Sequence, residues 1–191
     1  MPADLRRKGR GSVQSAAVHR KIVLVSGPPG AGKTTLATGL APLLGVPLIA
    51  KDLIKETLWD ALEPPDGDLE WSRRLGAASM ELLWALAGQA PAALLEANFR
   101  PHSSDERTRI AALSARVVEI YCSCPPELAS RRYAQRAADP SHHRAHVRPT
   151  LSAELLAEFD QPVEIGEVIV LDTSGPVDLA ALADQVRARW P

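Results

Sequence analysis

Short apolar runs alternate with amphipathic stretches along the chain from residue 21 onward. The apolar runs predict five strands, at residues 21–26, 47–50, 92–97, 116–122 and 168–171. Between and after them, apolar positions at helical spacing predict helices at residues 33–44, 51–62, 69–89, 103–115, 125–137, 151–159 and 176–190. Strands that alternate with helices predict a parallel sheet covered by helices on both faces. Pro42 is expected to kink the first helix or end it early.

Composition indicates one globular domain behind a basic tail. The 191 residues are 46% hydrophobic and 24% charged, and the net charge is −1. Residues 1–21 contain six basic residues and one acid, which gives +5 and leaves −6 for the rest of the chain. An acidic body disfavours a protein that coats nucleic acid. We predict a disordered basic tail over residues 1–20 and one domain over residues 21–191.

Cysteine spacing and hydropathy both favour a cytoplasmic protein. Cys122 and Cys124 are too close for an unstrained disulfide, so we expect reduced thiols. No apolar run approaches the ~18 residues of a membrane span. The basic start also lacks the apolar segment of a signal peptide. We therefore expect no membrane partner.

Residues 27–34, GPPGAGKT, fit the phosphate-binding pattern G-x-x-x-x-G-K-[ST] at every position. Glycines let the backbone wrap a triphosphate, and the helix that follows presents its positive end to the phosphates. Lys33 is expected to reach the β- and γ-phosphates, Thr34 to bind Mg²⁺, and Thr35 to contact the α-phosphate. The predicted nucleotide-binding residues of this loop are Gly27, Pro28, Pro29, Gly30, Ala31, Gly32, Lys33, Thr34 and Thr35.

Two large classes of P-loop protein do not fit the sequence. GTPases need an N-K-x-D segment to specify guanine, and none occurs. Motor and remodelling ATPases carry a strand that ends in Asp-Glu and a helical lid domain, for which the chain is too short. The size and layout that remain are those of a small kinase.

The chain resembles the small P-loop kinases of the AAA-33 group, which includes zeta-toxin-like and chloramphenicol-phosphotransferase-like kinases and has polynucleotide 5′-kinase domains as relatives. The resemblance covers about residues 21–190. Besides the phosphate loop it rests on Lys51-Asp52 with Ile54-Lys55-Glu56, on residues 95–99 (LEANF), on Arg132 and Arg136, and on residues 171–174 (LDTS). It implies a three-layer, nucleoside-kinase-like α/β fold with a five-stranded parallel sheet in the order 2-3-1-4-5. ATP and Mg²⁺ as cofactors and a lid over about residues 128–150 are also implied.

Asp52 follows the second predicted strand, at the edge of the sheet where ligands bind in open α/β folds. There it could accept the proton of a substrate hydroxyl as the γ-phosphoryl arrives. The matching acid has that role in the resembling kinases. Asp52 also opens a predicted helix, so it could serve as an N-cap as well.

The end of the third predicted strand supplies further candidates for substrate binding. Glu96 and Asn98 could hold the water molecules of Mg²⁺ or the acceptor, or they could only satisfy backbone groups. Arg100 could face a polar or anionic acceptor, or it could be a solvated surface residue.

Arg132 and Arg136 are four residues apart, so one helical face presents both. Kinase lids use such arginines to neutralise the charge of the transferred phosphoryl group, and Arg132 is also expected to contact the nucleotide. In the resembling kinases the turn after the last strand lies against adenine, which implicates Ser174 and Gly175. The histidines of residues 142–146 are interpreted as part of the lid or of the surface, not as metal ligands.

These features predict transfer of the γ-phosphoryl group of ATP to a hydroxyl group. A small molecule is the favoured acceptor: an antibiotic, a sugar or a nucleotide sugar. The 5′-hydroxyl of a nucleic acid comes second, because the body is acidic. A nucleotide-binding regulator or NTPase without an acceptor and a toxin-like kinase stay open, and the sequence does not indicate an oligomeric state.

Overall fold

The computed structural model describes residues 20–147 and 150–190, so the predicted tail lies outside the described residues except for Arg20. The strands are β1 (Arg20–Ser26), β2 (Leu48–Ala50), β3 (Ala92–Glu96), β4 (Ala115–Ser123) and β5 (Glu167–Asp172). The helices are α1 (Lys33–Leu44), α2 (Lys51–Leu62), α3 (Leu69–Gln89), α4 (Ser104–Ala112), α5 (Pro126–Ala137), α6 (Ala153–Ala157) and α7 (Leu179–Ala188). Arg20 belongs to β1 and not to the tail, because it pairs with Ala115 of β4.

All five strands run parallel, in the order β2-β3-β1-β4-β5, as the resemblance implied. The central strand β1 is apolar on both sides because both of its faces are covered. Val23 and Val25 pack in the core beneath α1 and α7, whereas Ile22 and Leu24 pack beneath α3 and α4. The three-layer α/β fold is therefore confirmed.

Helix α1 continues through Pro42, contrary to the expectation that this residue would kink it or end it early. Pro42 lies in the last turn, and the buried residues Leu40 and Ala41 before it anchor that turn in the core. Gly45 then ends the helix in the left-handed conformation, with its N–H donating to the Pro42 carbonyl at 3.1 Å. Within the described part of the chain, no helix has the length and apolar character to cross a membrane.

Candidate functional site

The phosphate loop joins the buried end of β1 to α1, and three of its glycines have positive φ angles. A Cβ at Gly27 would lie 2.4 Å from the Cys122 carbonyl oxygen, and one at Gly30 would lie 2.2 Å from that of Ala129. The close packing of the loop on β4 and α5 therefore demands these two glycines before any nucleotide binds. At Gly32, the N-cap of α1, a Cβ would meet nothing within 4 Å, so here only φ, at 88°, favours glycine.

Lys33 is the first residue of α1, and its side chain folds back over the loop. The ammonium group is buried and donates a hydrogen bond to the Pro28 carbonyl at 2.8 Å. Burial lowers the pKa of Lys33, and the nearby carboxylates of Glu96 and Asp52 oppose this shift. The lysine is thus held at the loop with two carboxylates close by.

A cavity of about 620 Å³ opens beside the phosphate loop. The carboxyl ends of β2 and β3, one face of α3, helix α5 and the loop after it surround it. It brings together the predicted residues Pro29, Gly30, Gly32, Lys33, Thr34, Thr35, Asp52, Glu96, Asn98, Arg100 and Arg136. Gly27, Pro28 and Ala31 belong to the loop but do not line the cavity.

Asp52 lies in the first turn of α2, directly after β2, as predicted. It is not the N-cap: Ala50 holds that position, and no side chain caps the helix. Burial raises the pKa of Asp52, but the ammonium of Lys51 at 3.1 Å, together with His146 and Lys33, outweighs burial and lowers the pKa to about 2. The cavity therefore contains an ionised carboxylate at neutral pH.

Glu96 ends β3 and is almost wholly buried at the floor of the site. Its Oε2 atom has no hydrogen-bond partner among the described residues. Burial raises the pKa of Glu96, whereas the Lys33 ammonium lowers it. A buried carboxylate oxygen without a donor is a poor structural element, but it is an effective group for binding a cation or its water shell.

Arg100 lines the cavity, but its guanidinium is already engaged by carboxylates. Its Nε lies 3.2 Å from Glu158 Oε2, and its Nη1 lies 3.6 Å from Glu106 Oε1. The Arg100 backbone N–H also donates to Glu106 at 2.7 Å. Neighbouring Asn98 is half-buried and faces the same cavity. Arg100 is thus an ion-paired side chain and not a free cation directed at an acceptor.

Arg132 and Arg136 of α5 face different cavities. Arg136 lines the large cavity, with its guanidinium 5.5 Å from the centre of the Tyr133 ring. Arg132 donates to the carbonyls of Thr173 and Ser174, both at 2.9 Å. Their four-residue spacing places Arg132 and Arg136 on one face of the helix, as predicted. In the tertiary structure, however, the two side chains contact different parts of the fold.

Arg132 borders a second cavity of about 340 Å³. Thr35 of α1 and the turn after β5, including Gly175 and Pro176, form its other walls. Ser174 does not line this cavity, and its side chain is exposed. The turn that the resemblance assigns to adenine thus meets the phosphate loop here, and Ser174 is fixed there through its backbone carbonyl.

The segment that follows α5, residues 138–147, is hereafter called the lid loop. It packs against α2 and α3 and closes one side of the large cavity. The carbonyl of the buried residue Ala145 accepts hydrogen bonds from Lys55 Nζ and Ser72 Oγ, both at 2.8 Å. His146 contacts Glu56 at 2.8 Å, and His143 contacts Asp60 at 3.2 Å. The loop is therefore anchored at several points.

Lys55 is the residue of this anchor whose role the sequence did not reveal. Its ammonium is buried and also donates to Ser72 at 2.7 Å. A clue was present, because Lys55 interrupts the apolar face of α2, one turn before Leu58 and Trp59. Its partner, a backbone carbonyl 90 residues away, had no sequence signal.

Replacing Lys55 with methionine is expected to change how stability depends on pH. Burial lowers the pKa of Lys55 to about 8, from 10.5 in an unfolded chain, so the unfolded chain binds this proton more tightly. At pH values between these two pKa values, the free energy of unfolding of the wild type should rise with pH relative to that of Lys55→Met, by up to about 1.4 kcal/mol per pH unit. Urea unfolding of both proteins at pH 7, 8, 9 and 10 measures this difference. A constant difference would show that folding does not lower the pKa of Lys55.

The sheet order, the phosphate loop and the two adjoining cavities together define a kinase-like P-loop fold with a nucleotide-binding site. Residues 22–162 match the model of the AAA_33 family, described as an AAA domain, and the chain belongs to this family.

One mycobacterial protein is similar to most of this chain. Uncharacterized protein Rv2004c of Mycobacterium tuberculosis is 30% identical over 167 residues, which are 82% of this chain and 32% of that protein. The chain thus spans about a third of the length of this relative.

Two solved structures are similar to most of the chain. A candidate kinase from Chloroflexus aurantiacus j-10-fl has a TM-score of 0.78 and 29% identity, and the match covers 89% of this chain and 98% of that one. Shikimate kinase from Acinetobacter baumannii, in complex with shikimate, has a TM-score of 0.56 and 18% identity, with 88% and 91% covered. The second likeness concerns the fold alone.

Proposed function

We propose that this protein transfers the γ-phosphoryl group of ATP to a hydroxyl group of a small molecule. The observation that carries this proposal is that the phosphate-loop lysine, Lys33, and the ionised carboxylate of Asp52 line the same cavity of about 620 Å³. A phosphoryl donor and an acceptor hydroxyl held between these groups would be close enough to react, which is the main requirement of phosphoryl transfer.

ATP would occupy both cavities. The base fits the smaller one, between Thr35 and the turn that Arg132 holds, and the phosphates extend over the loop to Lys33. Mg²⁺ suits the donors present, since Thr34 lines the site and the buried Glu96 Oε2 lacks a partner. Bound Mg²⁺ would neutralise negative charge on the β- and γ-phosphates.

The residues of this chain can account for both the transfer of the phosphoryl group and the path of the proton. The acceptor oxygen forms a bond to the γ-phosphorus while the bond to the β–γ bridging oxygen breaks, and ADP leaves. The proton of the hydroxyl passes to Asp52 and then to solvent. A carboxylate with a pKa of about 2 is a weak base, so Asp52 would mainly orient the hydroxyl and take its proton late in the transfer.

The shape of the large cavity favours a small acceptor. The lid loop and the segment around α6 close over it, and Leu151, Leu155 and Phe159 contribute apolar wall. A polynucleotide would need a long open groove that follows its backbone instead.

A phosphorylation screen tests the proposal. The protein is incubated with a metabolite extract, Mg²⁺ and ATP labelled at the γ-phosphoryl group, and labelled products are separated from inorganic phosphate. We expect a labelled small molecule with the wild type and none with Lys33→Ala. Labelled 5′ ends in a parallel oligonucleotide reaction would favour the polynucleotide alternative. Release of labelled phosphate alone would favour an NTPase or a regulator.

A further inference from the structure

One face of α3 forms a wall of the large cavity. Its residues recur every three or four positions and all line the cavity: Leu69, Ser72, Arg73, Gly76, Ala77 and Met80. We call this set the α3 wall. Because none of these residues belongs to the phosphate loop or to the second cavity, the α3 wall is available to contact the acceptor.

Most cations around the cavity have a partner. Lys51 pairs with Asp52 at 3.1 Å, and Arg100 pairs with Glu158 at 3.2 Å. Lys55 donates to Ser72 and to the lid loop. Among the described residues, Arg73 and Arg136 both line the cavity, and no carboxylate lies within ion-pair distance of either guanidinium. Two guanidinium groups in this cavity are thus available to bind anions.

The two unpaired arginines serve different ends of the cavity. Arg136 is close enough to the phosphate loop to lower the pKa values of Lys33 and Glu96. Its positive charge is therefore assigned to the phosphates of ATP. Arg73 lies on the α3 wall. One turn along that wall, the Lys51 ammonium lies 4.0 Å from the point where a Cβ on Gly76 would be. Arg73 is therefore the unpaired cation on the acceptor side, and the Lys51–Asp52 ion pair lies beside this wall.

Gly76 adds an independent observation. It lies in the middle of a 21-residue helix, where glycine is less stable than alanine by about 1 kcal/mol. No neighbour forbids a side chain there, since the nearest atom to an added Cβ is Lys51 Nζ. What glycine provides at this position is free space in the cavity, directly in front of a cation.

We propose that the acceptor carries an anionic group, a carboxylate or a phosphate ester, in addition to its reacting hydroxyl, and that Arg73 binds this group beside Lys51. The inference rests on the proposed function and narrows its substrate to a small hydroxy acid or a phosphorylated alcohol. A planar guanidinium matches either anion with two parallel hydrogen bonds. Ala77 and Met80 of the α3 wall would contact the carbon skeleton.

Matched acceptors test the inference. Labelled ATP is supplied with sets of compounds that share one carbon skeleton and differ in one group: a neutral alcohol, the corresponding carboxylic acid and the corresponding phosphate ester. We expect the protein to phosphorylate one of the two anionic members with a kcat/KM at least about tenfold above that of the neutral member. Which anion is preferred distinguishes a hydroxy acid from a phosphorylated alcohol.

Arg73→Ala and Arg74→Ala provide the matched variants. Arg74 is also exposed on α3, but its guanidinium lies over the Trp71 ring at 5.0 Å and does not line the cavity. Arg73→Ala should raise the KM of the anionic acceptor about 10- to 100-fold and leave the KM for ATP unchanged. Arg74→Ala should change neither, and both variants should unfold at the same urea concentration as the wild type.

The outcomes separate the two proposals. Phosphorylation of neutral members as efficiently as anionic ones, or equal effects of Arg73→Ala and Arg74→Ala, would overturn the anionic acceptor while the transferase stands. Hydrolysis of ATP with no labelled acceptor in any set and none in the metabolite screen would overturn the transferase, and the anionic acceptor with it.

Discussion

Asp52→Asn is expected to lower kcat by about 10²- to 10⁴-fold while the KM for ATP changes little. The amide keeps the size of the side chain but can neither take the proton of the acceptor hydroxyl nor attract the Lys51 ammonium at 3.1 Å. In the proposed binding mode ATP contacts the phosphate loop and the second cavity, so its binding should survive. Steady-state kinetics with the acceptor found in the metabolite screen measures both constants.

Asp184→Asn is the matched control for this substitution. Asp184 is exposed on α7 and, within the part of the chain that the structure describes, forms an ion pair only with Arg187 of the same helix. The Asp184→Asn substitution should leave kcat unchanged. Because the pKa of Asp52 is about 2, the wild-type rate should also show no ionisation of this group between pH 4 and 9. Undiminished turnover by Asp52→Asn would remove the residue from the mechanism.

Arg136→Ala is expected to lower kcat by about 10²- to 10³-fold. Its guanidinium lines the cavity beside the phosphate loop and has no carboxylate partner among the described residues, so it is available to the transferred phosphoryl group. Positive charge aimed at the phosphoryl oxygens stabilises the transition state more than the ground state. The loss should therefore appear mainly in kcat.

Arg132→Ala is the comparison that makes this result specific. It removes the same charge one turn earlier on α5, where the guanidinium holds the carbonyls of Thr173 and Ser174. That variant should raise the KM for ATP and change kcat less than Arg136→Ala does. The opposite pattern would indicate that Arg132, and not Arg136, contacts the transferred phosphoryl group. The sequence analysis proposed both arginines for this role.

Local sequence patterns were sufficient for the strands, most of the helices and the phosphate loop. A run such as Ile22–Val25 is apolar throughout only if both faces of its strand are covered, so it indicates a central parallel strand without any structure. Asp52 could be placed at the edge of the sheet because it directly follows a strand. Pro42 shows the limit of this reasoning, since packing of the residues before it preserved the helix.

Patterns within one segment could not predict how a side chain is shared between distant segments. Arg100 was a plausible free cation until Glu158, 58 residues away, was found beside it. Likewise, no local pattern indicated that the ammonium of Lys55 donates a hydrogen bond to the carbonyl of Ala145.

The sequence by itself determined the fold class, the phosphate loop and the set of candidate residues, because these depend on spacing along a strand, a loop or a helix. Only the tertiary structure decided which cations are paired, that Arg132 and Arg136 face different cavities, and that Arg73 lines the large cavity with no carboxylate partner among the described residues. Ion pairing and cavity shape arise from contacts between segments far apart in the chain. Those contacts depend on how helices pack across the sheet, which no local pattern contains.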